Sequence, residues 1–148
     1  MTKKIAVFSS GRGGNFNNLC EYFARTKSIS IDLLVTNNLG SMSKKIAEKN
    51  NIKSVYADSY VLQSGRLSSV MKRKNIDLVV LAGFLLKIPK KFVSKYEKKI
   101  INLHPSLLPK FGGKGMYGDN VHKAVLRSGE NVTGITIHYV DEVYDSGE

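Results

Sequence analysis

Cysteine, histidine, proline and acidic residues are all scarce in this chain of 148 residues. Cys20 is the only cysteine, so no disulfide can form within the chain. It falls in a helical pattern and reads as a buried filler. His104, His122 and His138 are the only histidines, and their wide spacing offers no close ligand set, so no metal is expected. No apolar run approaches the roughly 20 residues that a bilayer demands. The first apolar stretch is shorter than the roughly 7–15 residues of a signal-peptide core and reads as a strand. These features point to a reducing compartment, the cytoplasm, and away from a membrane. Acids number 12 against 23 basic residues, a net charge of +11. Such a surplus favours anionic partners. The lysines in "SKKIAEKN" and "KIPKKFVSKYEKK" are scattered rather than interleaved with aromatics, so they read as solvated faces. Nucleic acid is therefore not an expected partner, and phosphorylated small molecules are.

Apolar residues make up 42% of the chain, an ordinary share for one globular domain. Their spacing alternates between two periods. Residues 4–9, 30–37, 52–57, 76–84 and 99–103 read as strands, and the alternating run 132–140 as a last one. Residues 15–26, 64–75 and 119–129 have helical spacing, the last with Asp119 as cap and Gly129 as stop. "SKKIAEKNN" reads as a short helix capped by Ser43. The uninterrupted "IDLVVLAGF" suits a central parallel strand covered on both faces. Alternating strands and helices imply an α/β fold: a Rossmann-like, mostly parallel sheet with helices on both faces. No repeat or linker divides the chain, so residues 1–148 are expected to form one domain.

Four segments carry chemistry. "INLHPSLLP", residues 101–109, closes a strand with a polar pair. Residues two apart on a strand share a side, so Asn102 and His104 project together from its carboxyl end. In open α/β sheets ligands bind there. An amide donor beside an imidazole suits chemistry on a carbonyl, one group steadying an oxyanion and the other moving protons. Local turn chemistry or a packed histidine would leave the same pair. Gly11, Arg12, Gly13, Gly14 and Asn15 follow the first strand and open a helix. Their backbone N–H groups could approach an anion, with the helix dipole assisting, or the glycines could merely serve a tight turn. Phe16 breaks the dinucleotide fingerprint, and "VTNN" ends the second strand without an acid, so a ribose clamp for a nicotinamide cofactor is missing. "LAGFLLKIP", residues 81–89, reads as a strand end and turn. "GITIHYVDEVYDSG", residues 134–147, is an alternating strand followed by an acidic turn. Thr136, His138 and Val140 share one face of that strand; Ile135, Ile137 and Tyr139 share the other.

Taken in chain order, the four segments resemble the folate-dependent formyltransferases, most closely those acting on glycinamide ribonucleotide. The resemblance implies formyl transfer from 10-formyltetrahydrofolate to the amine of that ribonucleotide, a step of purine synthesis. It implies Asn102, His104 and Asp145 as catalytic residues, and Gly13, Gly14 and Asn15 as the holders of the substrate phosphate. It implies a folate pocket formed by Leu85, Leu86, Lys87, Ile88, Asn102 and the loop Asp141, Glu142, Val143, Tyr144 and Asp145. Leu85 to Ile88 would offer backbone hydrogen bonds and apolar walls, although Lys87 falls at a usually apolar place. A carboxylate at Asp145 would favour the imidazolium form of His104. His138 matches a histidine near the family's site and is assigned a supporting role. Folate is then a cosubstrate, and no cofactor is tightly held.

Two departures qualify the match. The family continues beyond the equivalent of Glu148 with further sheet and helix, so the chain is expected to be a catalytic domain lacking that C-terminal segment. A folate-contacting arginine of the family has no secure counterpart, Arg66 being the nearest. The glycine-rich "KFGGKGMYGDN" fits either a plain surface loop or a flap over the substrate. Two other readings stay open. One is formyl transfer to a different amine, methionyl-tRNA or an amino sugar, although those relatives lack this phosphate loop. The other is an inactive anion-binding domain.

Overall fold

The computed structural model describes residues 1–148 and contains one six-stranded sheet. The elements run β1 (Lys3–Phe8), α1 (Gly14–Phe23), β2 (Ile29–Thr36), α2 (Met42–Lys49), β3 (Ser54–Tyr56), α3 (Ser59–Ser64), α4 (Arg66–Arg73), β4 (Leu78–Leu81), α5 (Lys90–Lys95), β5 (Ile100–His104), α6 (Asp119–Ser128) and β6 (Thr136–Tyr139). The strand order is β3-β2-β1-β4-β5-β6. β1 to β5 are parallel, and β6 lies antiparallel beside β5.

Alternation along the central strands sorts two cores. Ala6, Phe8, Leu33, Val35, Val79 and Leu81 face α3, α4 and α5, packing on Leu62, Leu67, Met71, Phe92 and Val93. Ile5, Val7 and Leu34 face the other way, against Phe16 and Cys20 of α1 and Ala47 of α2. Leu33, Leu34 and Leu67 are almost fully buried, and each contributes about 1.5–3 kcal/mol by leaving water. Cys20 is a filler as expected, with burial first and the Glu21 charge second pushing its thiol up to about 11. No helix is long and apolar enough to cross a membrane.

Several local expectations are corrected. The cap of α2 is Ser41, whose side chain accepts from Lys44 N–H at 3.3 Å. Ser43 instead lies inside the first turn, fully buried, 2.7 Å from the Ser9 hydroxyl and donating to the Gly11 carbonyl. α6 is preceded by Gly118 with no side-chain cap, and Asp119 is its first residue, where its charge still suits the helix dipole. Gly129 does stop α6, at φ 72°. α3 and α5 are additional helices. α5 turns Phe92 and Val93 of the lysine-rich stretch into the core, leaving its lysines and Ser94 as the solvated face. β4 ends at Leu81 rather than Phe84, because Gly83 turns the chain at φ 75°.

Candidate active site

The chain leaves β1 toward β2 on one side and later returns through β4 on the other, so the sheet changes direction between β1 and β4. Loops diverge at such a point and leave a crevice. Here it is a cleft of about 690 Å³ at the carboxyl ends of β1, β4 and β5. It is lined by Gly11 and Asn15 from the first loop, Leu85 to Ile88 after β4, Asn102 and His104 from β5, and Asp141 to Asp145 after β6. Segments far apart in sequence thus share one cavity.

The antiparallel pairing of β5 and β6 builds its chemical centre. Asn102 sits directly opposite His138, and His104 opposite Thr136. The Thr136 hydroxyl donates to the Ser106 carbonyl at 2.7 Å and accepts from Leu108 N–H at 3.0 Å, which pins the segment after His104 to β6. His138 Nδ1 donates to the Tyr139 carbonyl at 2.9 Å, so its Nε2 is free to accept from Asn102 Nδ2 at 3.2 Å. The supporting role expected of His138 thus has a geometric basis: it orients the Asn102 amide.

Asp145 closes the cluster. Its Oδ2 accepts from Gly113 N–H at 2.8 Å. Its Oδ1 lies 3.5 Å from Asn102 Nδ2 and 3.6 Å from both His104 Nδ1 and His138 Nε2. At 3.6 Å neither imidazole is hydrogen-bonded to the carboxylate. The side chains of His104 and His138 are each 4% exposed and that of Asp145 is 10% exposed, so these polar groups meet with little water between them. Asn102 therefore holds one N–H against His138 and turns the other toward a weak contact with Asp145. An oxyanion arriving in the cleft could take that second N–H at little cost.

The acidic turn reaches this position through a tight approach to β6. Tyr139 N–H donates to the Glu148 carbonyl at 2.6 Å. A Cβ added at Gly147 would fall 1.8 Å from the Tyr139 carbonyl oxygen, which no rotamer can relieve. Gly147→Ala is expected to push the turn off β6 and draw Asp145 from its partners. Turnover should fall at least tenfold while the thermal midpoint moves only a few degrees, as measured by steady-state kinetics and circular dichroism.

Around the first loop the structure divides the expected phosphate residues. Asn15 lines the cleft, as does Gly11, whereas Gly13 and Gly14 do not. Gly13 precedes α1 at φ 71° with no side-chain cap, so the first N–H groups of α1 remain open. A Cβ at Gly13 would meet the Ser43 hydroxyl at 2.8 Å, Ile46 Cδ1 at 2.9 Å and Ser43 Cα at 3.1 Å. The approach of α2 alone thus requires a glycine at this position. Gly13→Val should destabilise the fold by roughly 2–4 kcal/mol, combining a left-handed backbone with overpacking. Urea unfolding measures this. A selective loss of anion binding with unchanged stability would contradict it.

The two loops expected to hold folate face each other and touch. Lys87 Nζ lies 4.9 Å above the Tyr144 ring, and Lys90 pairs with Glu142 at 2.6 Å. Lys87 is thereby turned toward the 141–145 loop. Asp141 is occupied locally, accepting from Val143 N–H and the Ser146 hydroxyl. Leu86 and Ile88 pack against the larger core, while the Leu85 side chain is exposed. Leu85 N–H already donates to the Ser10 hydroxyl at 3.0 Å, so it is not an open donor as expected. Arg66 begins α4, is exposed, and lies outside the cleft lining.

Sequence reasoning missed several participants. Ser10 links Leu85 to Asn37, which accepts from its hydroxyl. Gly113 N–H, bonded to Asp145, and the Phe111 carbonyl, 2.8 Å from His104 Nε2, are backbone groups with no side-chain signal. Met116, Tyr117 and His122 also line the cleft, so the glycine-rich loop does border the cavity.

An amide, an imidazole and a carboxylate thus meet at the carboxyl edge of an open α/β sheet. The sequence matches the family described as "Formyl transferase" over residues 3–148, and the chain belongs to that family. It is 44% identical to a chloroplastic phosphoribosylglycinamide formyltransferase of Arabidopsis thaliana, an alignment covering 98% of this chain and 52% of that protein. A Vigna unguiculata counterpart is 41% identical, with 98% and 48% covered. The chain thus spans about half the length of these curated relatives. The crystal structure of phosphoribosylglycinamide formyltransferase from Anaplasma phagocytophilum superposes with a TM-score of 0.89 at 34% identity, covering 99% of this chain and 69% of that one. Glycinamide ribonucleotide transformylase 1 from Geobacillus kaustophilus gives 0.87 at 34% identity, with 99% and 79% covered.

Proposed function

We propose that this protein transfers the formyl group of 10-formyltetrahydrofolate to the amine of glycinamide ribonucleotide, a step of purine synthesis. The observation that carries the reading is the convergence of Asn102, His104 and Asp145 on one point of a single cleft. The amine nitrogen attacks the formyl carbon, and its carbonyl oxygen becomes an oxyanion. Asn102 Nδ2 donates to that oxyanion. The amine loses a proton, the bond from carbon to the folate nitrogen breaks, and the folate nitrogen gains a proton. His104 carries that proton, with Asp145 stabilising the charged ring.

Asn15 and the open N–H groups at the start of α1 suit the ribonucleotide phosphate, and the net charge of +11 favours such an anion. The loops 85–88 and 141–145 suit the folate, which serves as a cosubstrate, and no tightly held cofactor is required. Small molecules are the partners in this reading, and the lone buried thiol suits the cytoplasm. The test is loss of formyl from 10-formyltetrahydrofolate by the full-length protein. It should depend on glycinamide ribonucleotide. Transfer to methionyl-tRNA or an amino sugar in its place would overturn the substrate, and phosphate binding without any transfer would overturn the activity.

A further inference from the structure

His104 Nε2 lies 2.8 Å from the Phe111 carbonyl oxygen. A carbonyl can only accept, so this nitrogen must carry a hydrogen whether the ring is neutral or charged. Nδ1 makes no hydrogen bond within the protein; its nearest charged neighbour is Asp145 Oδ1 at 3.6 Å. Every fully buried polar side-chain atom has a partner, so this unbonded nitrogen is the one open to the cleft. We propose that the Phe111 carbonyl is a positioning group: it fixes the proton of neutral His104 on Nε2 and leaves Nδ1 as the only nitrogen that takes up and releases the transferred proton.

The surrounding segment is built to hold that carbonyl. Phe111 adopts φ 56°, in the left-handed region that a bulky residue rarely occupies. Ser106 donates to the Lys110 carbonyl at 2.8 Å and fixes the preceding peptide. A Cβ at Gly112 would meet Leu108 Cδ2 at 2.6 Å and Asp145 Cβ at 3.2 Å, so this glycine allows the segment to approach the aspartate. Gly113 N–H then binds Asp145 Oδ2. One short backbone stretch therefore constrains both members of the pair.

The proton path follows and balances. Neutral Nδ1 points a lone pair toward an anion. The proton lost by the attacking amine binds there, and the repulsive contact becomes an ion pair. The Nδ1–H bond then breaks as the folate nitrogen is protonated and its bond to the formyl carbon is cleaved. His138 does not share this task, because its Nδ1 is bound to the Tyr139 carbonyl and its Nε2 accepts from Asn102.

The inference rests on the proposed activity for the proton path, but the lock itself is testable without turnover. Long-range proton–nitrogen spectra of the uniformly labelled chain, recorded above the histidine titration range, should give His104 a protonated Nε2 and a bare Nδ1. A semisynthetic chain in which the peptide bond between Phe111 and Gly112 is an ester weakens the carbonyl as an acceptor. It removes only the Gly112 N–H, which donates to no protein group. That chain should show both neutral tautomers and transfer formyl about tenfold more slowly, the size expected for one weakened hydrogen bond. A parent protein with the proton on Nδ1, or an ester chain with unchanged tautomer or unchanged rate, overturns the proposal. If no formyl transfer occurs in any chain, the proton path falls with the proposed activity, while the spectra still decide the lock.

Discussion

His104→Ala should lower formyl transfer by about a thousandfold, within the range supplied by a positioned acid–base group. The methyl side chain can neither receive the amine proton nor deliver one to the folate nitrogen. Asn102 keeps its bond to His138 and its orientation, so oxyanion stabilisation survives and some catalysis persists. The loss should fall on kcat, with KM for the ribonucleotide changed little, because the missing interaction belongs to the transition state. The variant also leaves the Phe111 carbonyl without its donor. That costs stability of about 1–3 kcal/mol, so rates must be compared well below the unfolding transition. Single-turnover kinetics with saturating cosubstrates makes the measurement. Retention of near-parental turnover would remove His104 from the reaction.

The parts of this site differ in how far they can be read from sequence, and the reason is physical. Strand alternation has a fixed period, so the common direction of Asn102 and His104 follows from their spacing alone. The pairing of Asn102 with His138 does not, because it depends on the register of an antiparallel neighbour. Asp145 lies far along the chain and reaches the cluster through a turn whose closeness to β6 depends on Gly147. A motif match can suggest it, but local pattern cannot. Backbone partners such as the Phe111 carbonyl and Gly113 N–H are invisible in principle, since every such peptide group is chemically the same.

Local structure shows similar limits. Ser41 and Ser43 are equally plausible caps by type. The approach of α2 to the Gly11 carbonyl turns Ser43 inward and leaves Ser41 to cap. Lysines on both sides of Phe92 and Val93 mask a helix that the core requires. Phe84 prolongs the apolar run of β4, yet it turns back onto Phe8, with ring centroids 5.2 Å apart. Hydrophobicity reported its burial and not its geometry. Gly13 was legible as necessary, and the approach of α2 supplies a packing reason that the sequence does not show.

Asp145→Asn should be the other severe loss, with transfer reduced a hundredfold or more. The substitution preserves size, and asparagine tolerates the φ of 54° found at this residue. The overall fold should therefore persist, and the change falls on the polar contacts and the charge of this cluster. An amide cannot replace the carboxylate on both sides. If its oxygen accepts from Gly113 N–H, its NH2 group faces the Asn102 NH2 across the 3.5 Å contact. If it is flipped, that NH2 group faces Gly113 N–H across a separation of only 2.8 Å. Either orientation opposes two donors, and neither supplies a negative charge to the His104 ring. A proton arriving on Nδ1 would then meet no anion, so the charged intermediate becomes harder to form. The residues proposed to hold the ribonucleotide phosphate belong to a separate segment, the first loop and the start of α1, so its KM should be nearly unchanged. Were Asp145 only closing a solvated turn, the variant would turn over like the parent. Steady-state kinetics distinguishes the two cases, and the proton–nitrogen spectra add an independent readout. The His104 Nε2 proton should remain in Asp145→Asn, because its carbonyl partner is untouched, while transfer collapses.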